Sequence, residues 1–282
     1  MFTKQRDWVE MGFSILVNSS ILFIGIVFVG ILAHIFVQGA GQISWEFLLT
    51  EPSNAGRAGG IAPILVATLM ILAVCLMTSL PLGLATAILL AEYESQRFVR
   101  WVRQSLEVLA GVPSIVFGLF GNAFFSKALG LGFSILSGGL TLACMVLPIF
   151  IRIAEEGFRQ IPSDYRRNAA ALGFSRLATL YHLLLPAAMP SIVVGLVLGI
   201  GRALAETAAL IFTSGYVDRM PESWLDSGRA LSIHIYDLSM NVPGGDANAY
   251  ATSLILILLL IVINSVATGM SRFWSRRRLP TI

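Results

Sequence analysis

The sequence predicts an all-α, multi-pass membrane protein of about six transmembrane helices, and three observations carry that expectation. Of its 282 residues, 56% are hydrophobic and only 12% are Asp, Glu, Lys or Arg, against about 25% charged in a soluble domain. The charges leave long gaps: none falls between Glu10 and Glu46, Arg57 and Glu92, Glu107 and Lys127, Lys127 and Arg152, Arg176 and Arg202, or Asp246 and Arg272. Each gap holds the about 20 apolar residues that a helix needs to cross about 30 Å of hydrocarbon. The expected spans are 13–37, 64–91, 107–126, 130–152, 187–213 and 249–271. These segments lack the polar face that a long helix buried in a soluble bundle would keep toward water.

The third observation is charge placement. With the N-terminus inside, one side of the membrane holds Lys4, Arg6, Arg97, Arg100, Arg103, Arg152, Arg159, Arg166, Arg167, Arg176, Arg272, Arg276, Arg277 and Arg278, and the other only Arg57, Lys127, Arg219 and Arg229. The positive-inside rule then puts both termini in the cytoplasm. This asymmetry accounts for the basic residues without nucleic acid as a partner. Cys75 and Cys144 both fall in expected spans and read as small packing residues, with neither disulfide nor metal-ligand spacing. The first apolar stretch is longer than a signal-peptide core and reads as a retained helix.

Along the chain, 38–60 reads as an external loop, and Pro81 should bend the second span, since proline removes a backbone donor. Arg97, Arg100 and Arg103 recur at three-residue spacing, which suits a short helix at the cytoplasmic interface with its arginines toward lipid phosphates or water; a plain basic loop is the alternative. Gly111 and Pro113, with Gly118 and Gly121, predict a broken third span, which is tolerated where it lines a cavity or packs on protein. The stretch 215–248 reads as the longest outer loop. No soluble insertion or internal repeat is visible, so a single membrane domain is expected to cover 1–282.

The segment from Tyr165 to Pro186 is too apolar for a solvated loop. The alanines of Arg167-Asn168-Ala169-Ala170-Ala171-Leu172-Gly173 favour helix and Gly173 can end it in a left-handed cap; a second helical stretch from Ser175 to Leu184 leads to Pro186 at the mouth of the fifth span. Such a helix–Gly–helix calls for a protein partner, although an ordinary hairpin between spans is the alternative. With its glycine and its downstream Leu185-Pro186, the segment resembles the EAA loop of ABC-importer permeases, with Arg167 where that family usually has Glu and Asn168 where it has its first Ala. The stretch 109–120, Leu147-Pro148 with Arg152 and Glu155-Glu156, Ile161-Pro162, and 202–207 are similar to phosphate permeases of the PstA type, with Ala205 in place of the usual Gly.

The resemblance implies a MetI-like permease fold with a cytoplasmic coupling helix, in a loop at about 155–186, that docks on separate ATP-hydrolysing subunits through Arg167, Ala169, Ala170, Leu172, Gly173 and Pro186. It further implies a paired PstC-type permease, a PstB-type ATPase dimer, an external PstS-type phosphate-binding protein and residence in the inner membrane. Phosphonate, sulfate or molybdate as cargo, or an ATP-independent carrier, are the alternatives.

Arg202 and Glu206 are the only Asp, Glu, Lys or Arg residues well inside an expected span. An ion there costs at least about 2.5–3.5 kcal/mol, so it faces a partner or a water-filled path. Their spacing of four would let them pair on one helix face, and a guanidinium can give an oxyanion two charge-assisted hydrogen bonds. Arg202, Glu206 and Thr207 are therefore the candidate translocation residues, with Thr213 and Ser214 as further hydroxyls; a structural salt bridge is the alternative. There is no GxxxxGK[ST] loop, nucleophile–base pair or metal-ligand cluster, so the chain reads as a non-catalytic subunit needing no cofactor.

Overall fold

The computed structural model describes residues 3–92 and 96–278, with side chains for 8, 10–92 and 97–269. The side chains of Lys4, Arg6, Arg272, Arg276, Arg277 and Arg278, on which the positive-inside expectation partly rests, lie outside the described set. Twelve α-helical segments follow one another among the described residues.

Helix α1 (Thr3–Gly39) carries no charged residue beyond Glu10 and packs chiefly against α12 (Asp246–Arg278). At their crossing Gly39 is required: a Cβ there would stand 2.7 Å from the Tyr250 carbonyl oxygen. His34 Nε2 meets the Tyr250 hydroxyl at 3.2 Å one turn earlier. The 38–60 connection is not plain loop. It holds α2 (Trp45–Leu49), capped by Ser44, whose Oγ accepts from Phe47 N at 3.1 Å, and a two-residue hairpin, β1 (Pro52–Ser53) with β2 (Ala58–Gly59).

Three helices form the centre: α3 (Ala62–Glu92), α6 (Ile135–Arg159) and α9 (Leu185–Leu204). Lipid tails supply no hydrophobic drive between helices, so close approach of small residues holds them together. A Cβ on Gly139 of α6 would come within 2.5 Å of Val74, and one on Gly157 within 2.4 Å of Ser191. Helix α3 runs through Pro81 as one element.

Between α3 and α6 the chain differs from the broken span expected over 107–126 in where the crossing begins. Helix α4 (Gln96–Ala110) is strongly amphipathic and ends at Gly111-Val112-Pro113; α5 (Ser114–Gly121), extended by π-helical turns over Asn122–Ala128, leaves at 101°. The break falls where glycine and proline predict it, but 107–110 belong to α4, and the apolar crossing itself starts at Ser114. Val99 of α4 is buried against Leu90 and Ile151, with Val102 and Leu106 packed alongside, so this helix docks on protein.

After α6 come α7 (Ser163–Ala171) and α8 (Arg176–Thr179). A π-helical turn, Leu180–Leu184, joins α8 to α9, so one rod runs Arg176–Leu204 rather than a loop helix followed by a span from 187. The wide turn precedes Pro186, which has no N–H to donate to His182 and whose ring would crowd that carbonyl in α geometry. On the other face lie α10 (Ala208–Ile211) and α11 (Leu231–Met240). The segment between them caps α6: the carbonyls of Asp226 and Trp224 accept from Ile135 N and Leu136 N, both at 2.9 Å. Among the described residues five helices are long and apolar enough to cross a membrane, or six if the bent α4–α5 pair counts as one span.

Candidate translocation path and coupling loop

Helix α9 stops short. It ends at Leu204, with Ala205 N bonded to Gly201 O at 3.2 Å, and the chain turns before α10 begins at Ala208. Glu206 therefore stands outside α9. Its Oε1 accepts from Ala209 N at 3.2 Å, which caps α10, and its carbonyl accepts from Ser232 Oγ at 2.6 Å. The i,i+4 pairing of Arg202 with Glu206 expected of a continuous helix is thus not made; the carboxylate is turned to the exposed N–H groups of the next helix.

Arg202 lies in the last turn of α9, about 26 Å along the axis from Leu185 at 1.5 Å per residue. Its side chain is exposed, and among the described residues it has no hydrogen-bond or ion-pair partner. It ends an exposed stripe of Pro190, Val194 and Leu198 at four-residue spacing, one face of α9. The chain break beside it is rigidly packed: a Cβ on Gly118 of α5 would lie 2.8 Å from Ala209 Cα, and Asn122 Nδ2 donates to Phe212 O at 2.7 Å. Thr207 is half-buried in the break. Thr213 and Ser214 are fully buried and bond the carbonyls of Ala209 and Leu210, so their hydroxyls face their own backbone and not a path.

On the opposite end of the molecule, α7 closes in a Schellman cap. Gly173 adopts φ +78°, its N–H reaches Ala170 O at 3.0 Å, and Phe174 N reaches Ala169 O at 3.0 Å. Ser175 then caps α8 by accepting from Ala178 N at 3.2 Å. The knuckle presents apolar side chains outward: Leu172 is 77% exposed and Leu177 60%, with Phe174 beside them. Ala169 is buried, whereas Arg167 and Ala170 are exposed and Pro186 half-buried. Arg167 lies 3.9 Å from Asp164 on its own helix, both largely exposed.

Two tight ion pairs join this end of the bundle, and the residue pattern did not disclose either. Arg166 grips Glu92 through Nε at 2.9 Å and through Nη2, and also donates to Ile161 O and Phe158 O at 3.0 Å each; Glu92 raises its already high pKa. Arg103 does not face lipid phosphate. It bonds Glu155, which Arg159 also approaches at 3.1 Å. A third cluster sits by α11, where Arg229 reaches Asp237 at 3.2 Å, Tyr216 O at 2.8 Å and His234 Nδ1 at 3.4 Å. Burial, and next the Arg229 charge, push the His234 pKa down to about 4. His234 carried no signal in sequence because its burial is created by distant segments: a Cβ on Gly56 would lie 2.9 Å from its ring.

Residues 80–279 match the family of binding-protein-dependent transport system inner membrane components. The chain belongs to this family. This inner membrane component is 36% identical over 227 residues, 79% of its length and 73% of the relative's, to the phosphate transport system permease protein PstA 1 of Mycobacterium tuberculosis. It is 32% identical over 260 residues, covering 86% of it and 88% of the relative, to the probable ABC transporter permease protein YqgI of Bacillus subtilis. Among solved structures, the bacterial alginate ABC transporter in complex with alginate pentasaccharide-bound periplasmic protein has a chain that superposes with a TM-score of 0.68 at 17% identity, over 96% of both chains. A chain of the inward-facing MetNI methionine ABC transporter superposes with a TM-score of 0.56 at 16% identity, over 77% of this chain and 97% of that one. At such identities the likeness is one of fold, and the fold is that of MetI-like ABC-importer permeases.

Proposed function

We propose that this permease carries inorganic phosphate inward as one half of a two-permease channel, driven by ATP hydrolysis on separate subunits. The observation that supports it most directly is Arg202, a charged side chain exposed near the end of a broken span with no hydrogen-bond or ion-pair partner among the described residues. A lone guanidinium at membrane depth must meet water, substrate or a second subunit. A fork of donors suits a tetrahedral oxyanion. The relatives named as phosphate transport permeases favour phosphate over other oxyanions.

In this reading the single domain has the α7–α8 knuckle and both termini in the cytoplasm, and the α10–α11 side faces an external phosphate-binding protein of the PstS type. Leu172, Gly173, Phe174 and Leu177, with Arg167, Ala169, Ala170 and Pro186 shaping them, seat on a PstB-type ATPase dimer. A PstC-type permease covers the exposed stripe of α9. Glu206 and Thr207 shape the break that leaves Arg202 at the path. Rocking of the two permeases about that level alternates access. Uptake of radiolabelled phosphate by the reconstituted complex tests this: Arg202→Gln is expected to lower uptake about a hundredfold, as loss of a charged ligand contact worth about 3 kcal/mol, with subunit assembly unchanged. Uptake that survives the substitution, or that sulfate or molybdate suppresses as well as phosphate does, overturns it.

A further inference from the structure

Helix α7 holds the rest of the protein by little. Ala169 is its one buried residue, and a cleft of about 270 Å³, bordered by Phe174, Leu180 and Leu184, separates the knuckle from the bundle. Arg166 bridges that cleft. Its Nε and Nη2 take both oxygens of Glu92, the last residue of α3, while Nη1 and Nη2 also satisfy the carbonyls of Ile161 and Phe158 where α6 ends. The pair joins positions 74 apart in sequence and is only partly exposed, with side chains at 30% and 15%. The planar fork fixes orientation as well as distance, which a lysine could not do.

We propose that the Glu92–Arg166 pair is the joint through which the coupling loop moves α3, which makes Arg166 a positioning residue for transport. The proposal rests on reading α7–α8 as the ATPase-docking loop. Force applied at the exposed knuckle has two routes into the bundle. One is along the backbone into α9, through a π-helical turn that Pro186 holds open. The other is sideways into α3 through the Arg166 fork, and α3 packs against both α6 and α9. Removing the fork leaves docking intact and severs the sideways route.

The test uses the whole complex in proteoliposomes, reading ATP hydrolysis and phosphate accumulation together. Glu92→Ala is the decisive variant, because Arg166 keeps its two carbonyl bonds and α7 stays seated. It is expected to hydrolyse ATP within about twofold of wild type while phosphate moved per ATP falls about tenfold, a typical size for a lost coupling between sites. Arg166→Gln is expected to do the same and Arg166→Lys to be intermediate. Wild-type uptake per ATP in Glu92→Ala overturns the proposal. So does a parallel loss of hydrolysis and uptake, or a failure of Glu92→Ala to assemble, since either assigns the pair to folding alone. If the wild-type complex hydrolyses ATP but accumulates no phosphate, the phosphate reading fails, and the joint is scored separately by spin labels at Leu89 and Ser163. Their distance is expected to stay fixed through the ATP cycle in wild type and to spread in Glu92→Ala; equal spread in both overturns the joint.

Discussion

Arg103 on α4 donates through Nε to Oε1 of Glu155 on α6 at 2.8 Å, joining residues 52 apart in sequence and holding a helix that lies at 101° to the one that follows it. The carboxylate is 8% exposed and also meets Arg159, while both arginines remain more than a third exposed. Glu155 is thus the buried partner of two half-solvated cations. Glu155→Gln is expected to cost about 1–3 kcal/mol, below the range for a fully buried pair because the arginines stay hydrated. Thermal unfolding in detergent measures it, and a larger loss for Glu155→Gln than for Arg159→Gln is the outcome the geometry requires.

Gly173 has no atom within 4 Å of where a Cβ would stand, so its substitution is a matter of backbone alone. At φ +78° an alanine costs about 1–2 kcal/mol and unwinds the Schellman cap, whereas asparagine tolerates the left-handed region better. Co-purification of the ATPase subunits is expected to fall in the order glycine, asparagine, alanine. Equal yields for all three would mean that the cap does not shape the docking surface.

Leu172 is expected to behave differently. At 77% exposure it contributes little to the fold of this chain. Leu172→Asp should leave the melting temperature of the isolated permease within about the ±0.5 kcal/mol of an ordinary surface change while greatly weakening ATPase capture. A drop in both would show that Leu172 is held by the permease itself.

His234 gives a pH dependence with a definite sign. Burial pushes its pKa down to about 4 in the folded protein, against the ordinary 6.5 of an imidazole in water. Because the folded state binds the proton less readily, the stability contributed by neutral His234 is complete above pH 6.5. It is lost progressively as pH falls toward 4, by up to about 3 kcal/mol. Melting curves of wild type and His234→Gln between pH 7.5 and pH 4 are expected to converge as the pH falls, with the variant the flatter of the two. Parallel curves would remove His234 as the source.

Arg202→Lys separates charge from geometry at the proposed site. An ammonium keeps the attraction for an anion but loses the planar fork, so phosphate uptake is expected to fall about tenfold, between wild type and Arg202→Gln. Uptake equal to that of the glutamine variant would make the fork, and not the charge, the whole contribution.

The six charge-free gaps were legible because a bilayer imposes a one-dimensional rule: each span needs its own run of apolar residues, whatever its neighbours do. The break at Gly111-Val112-Pro113 and the left-handed cap at Gly173 were legible for the same reason, since glycine and proline act on their own backbone. The end of α9 was not. Nothing in Arg202-Ala203-Leu204-Ala205-Glu206 forbids helix, and the pairing expected of Arg202 with Glu206 failed because Ser232, from a segment 26 residues on, holds the turn open at the Glu206 carbonyl. Arg166 and Arg103 looked like members of a basic surface, one beside Arg167 and the other in register with Arg97 and Arg100.

Sequence by itself determined that this chain crosses the membrane about six times, that the third crossing must break at Gly111-Val112-Pro113, and that a helix–glycine–helix knuckle interrupts the spans. Tertiary structure alone decided which arginines are spent on the fold and that Arg202, in the last turn of a span, is not one of them. Arg103, Arg166 and Arg229 find carboxylates on other helices or across a turn, while Arg202 finds none among the described residues. The physical reason is range. Hydropathy and backbone preference act within a helix turn or two, whereas an ion pair between positions 52 or 74 apart exists only once packed helices have brought the two charges within about 3 Å.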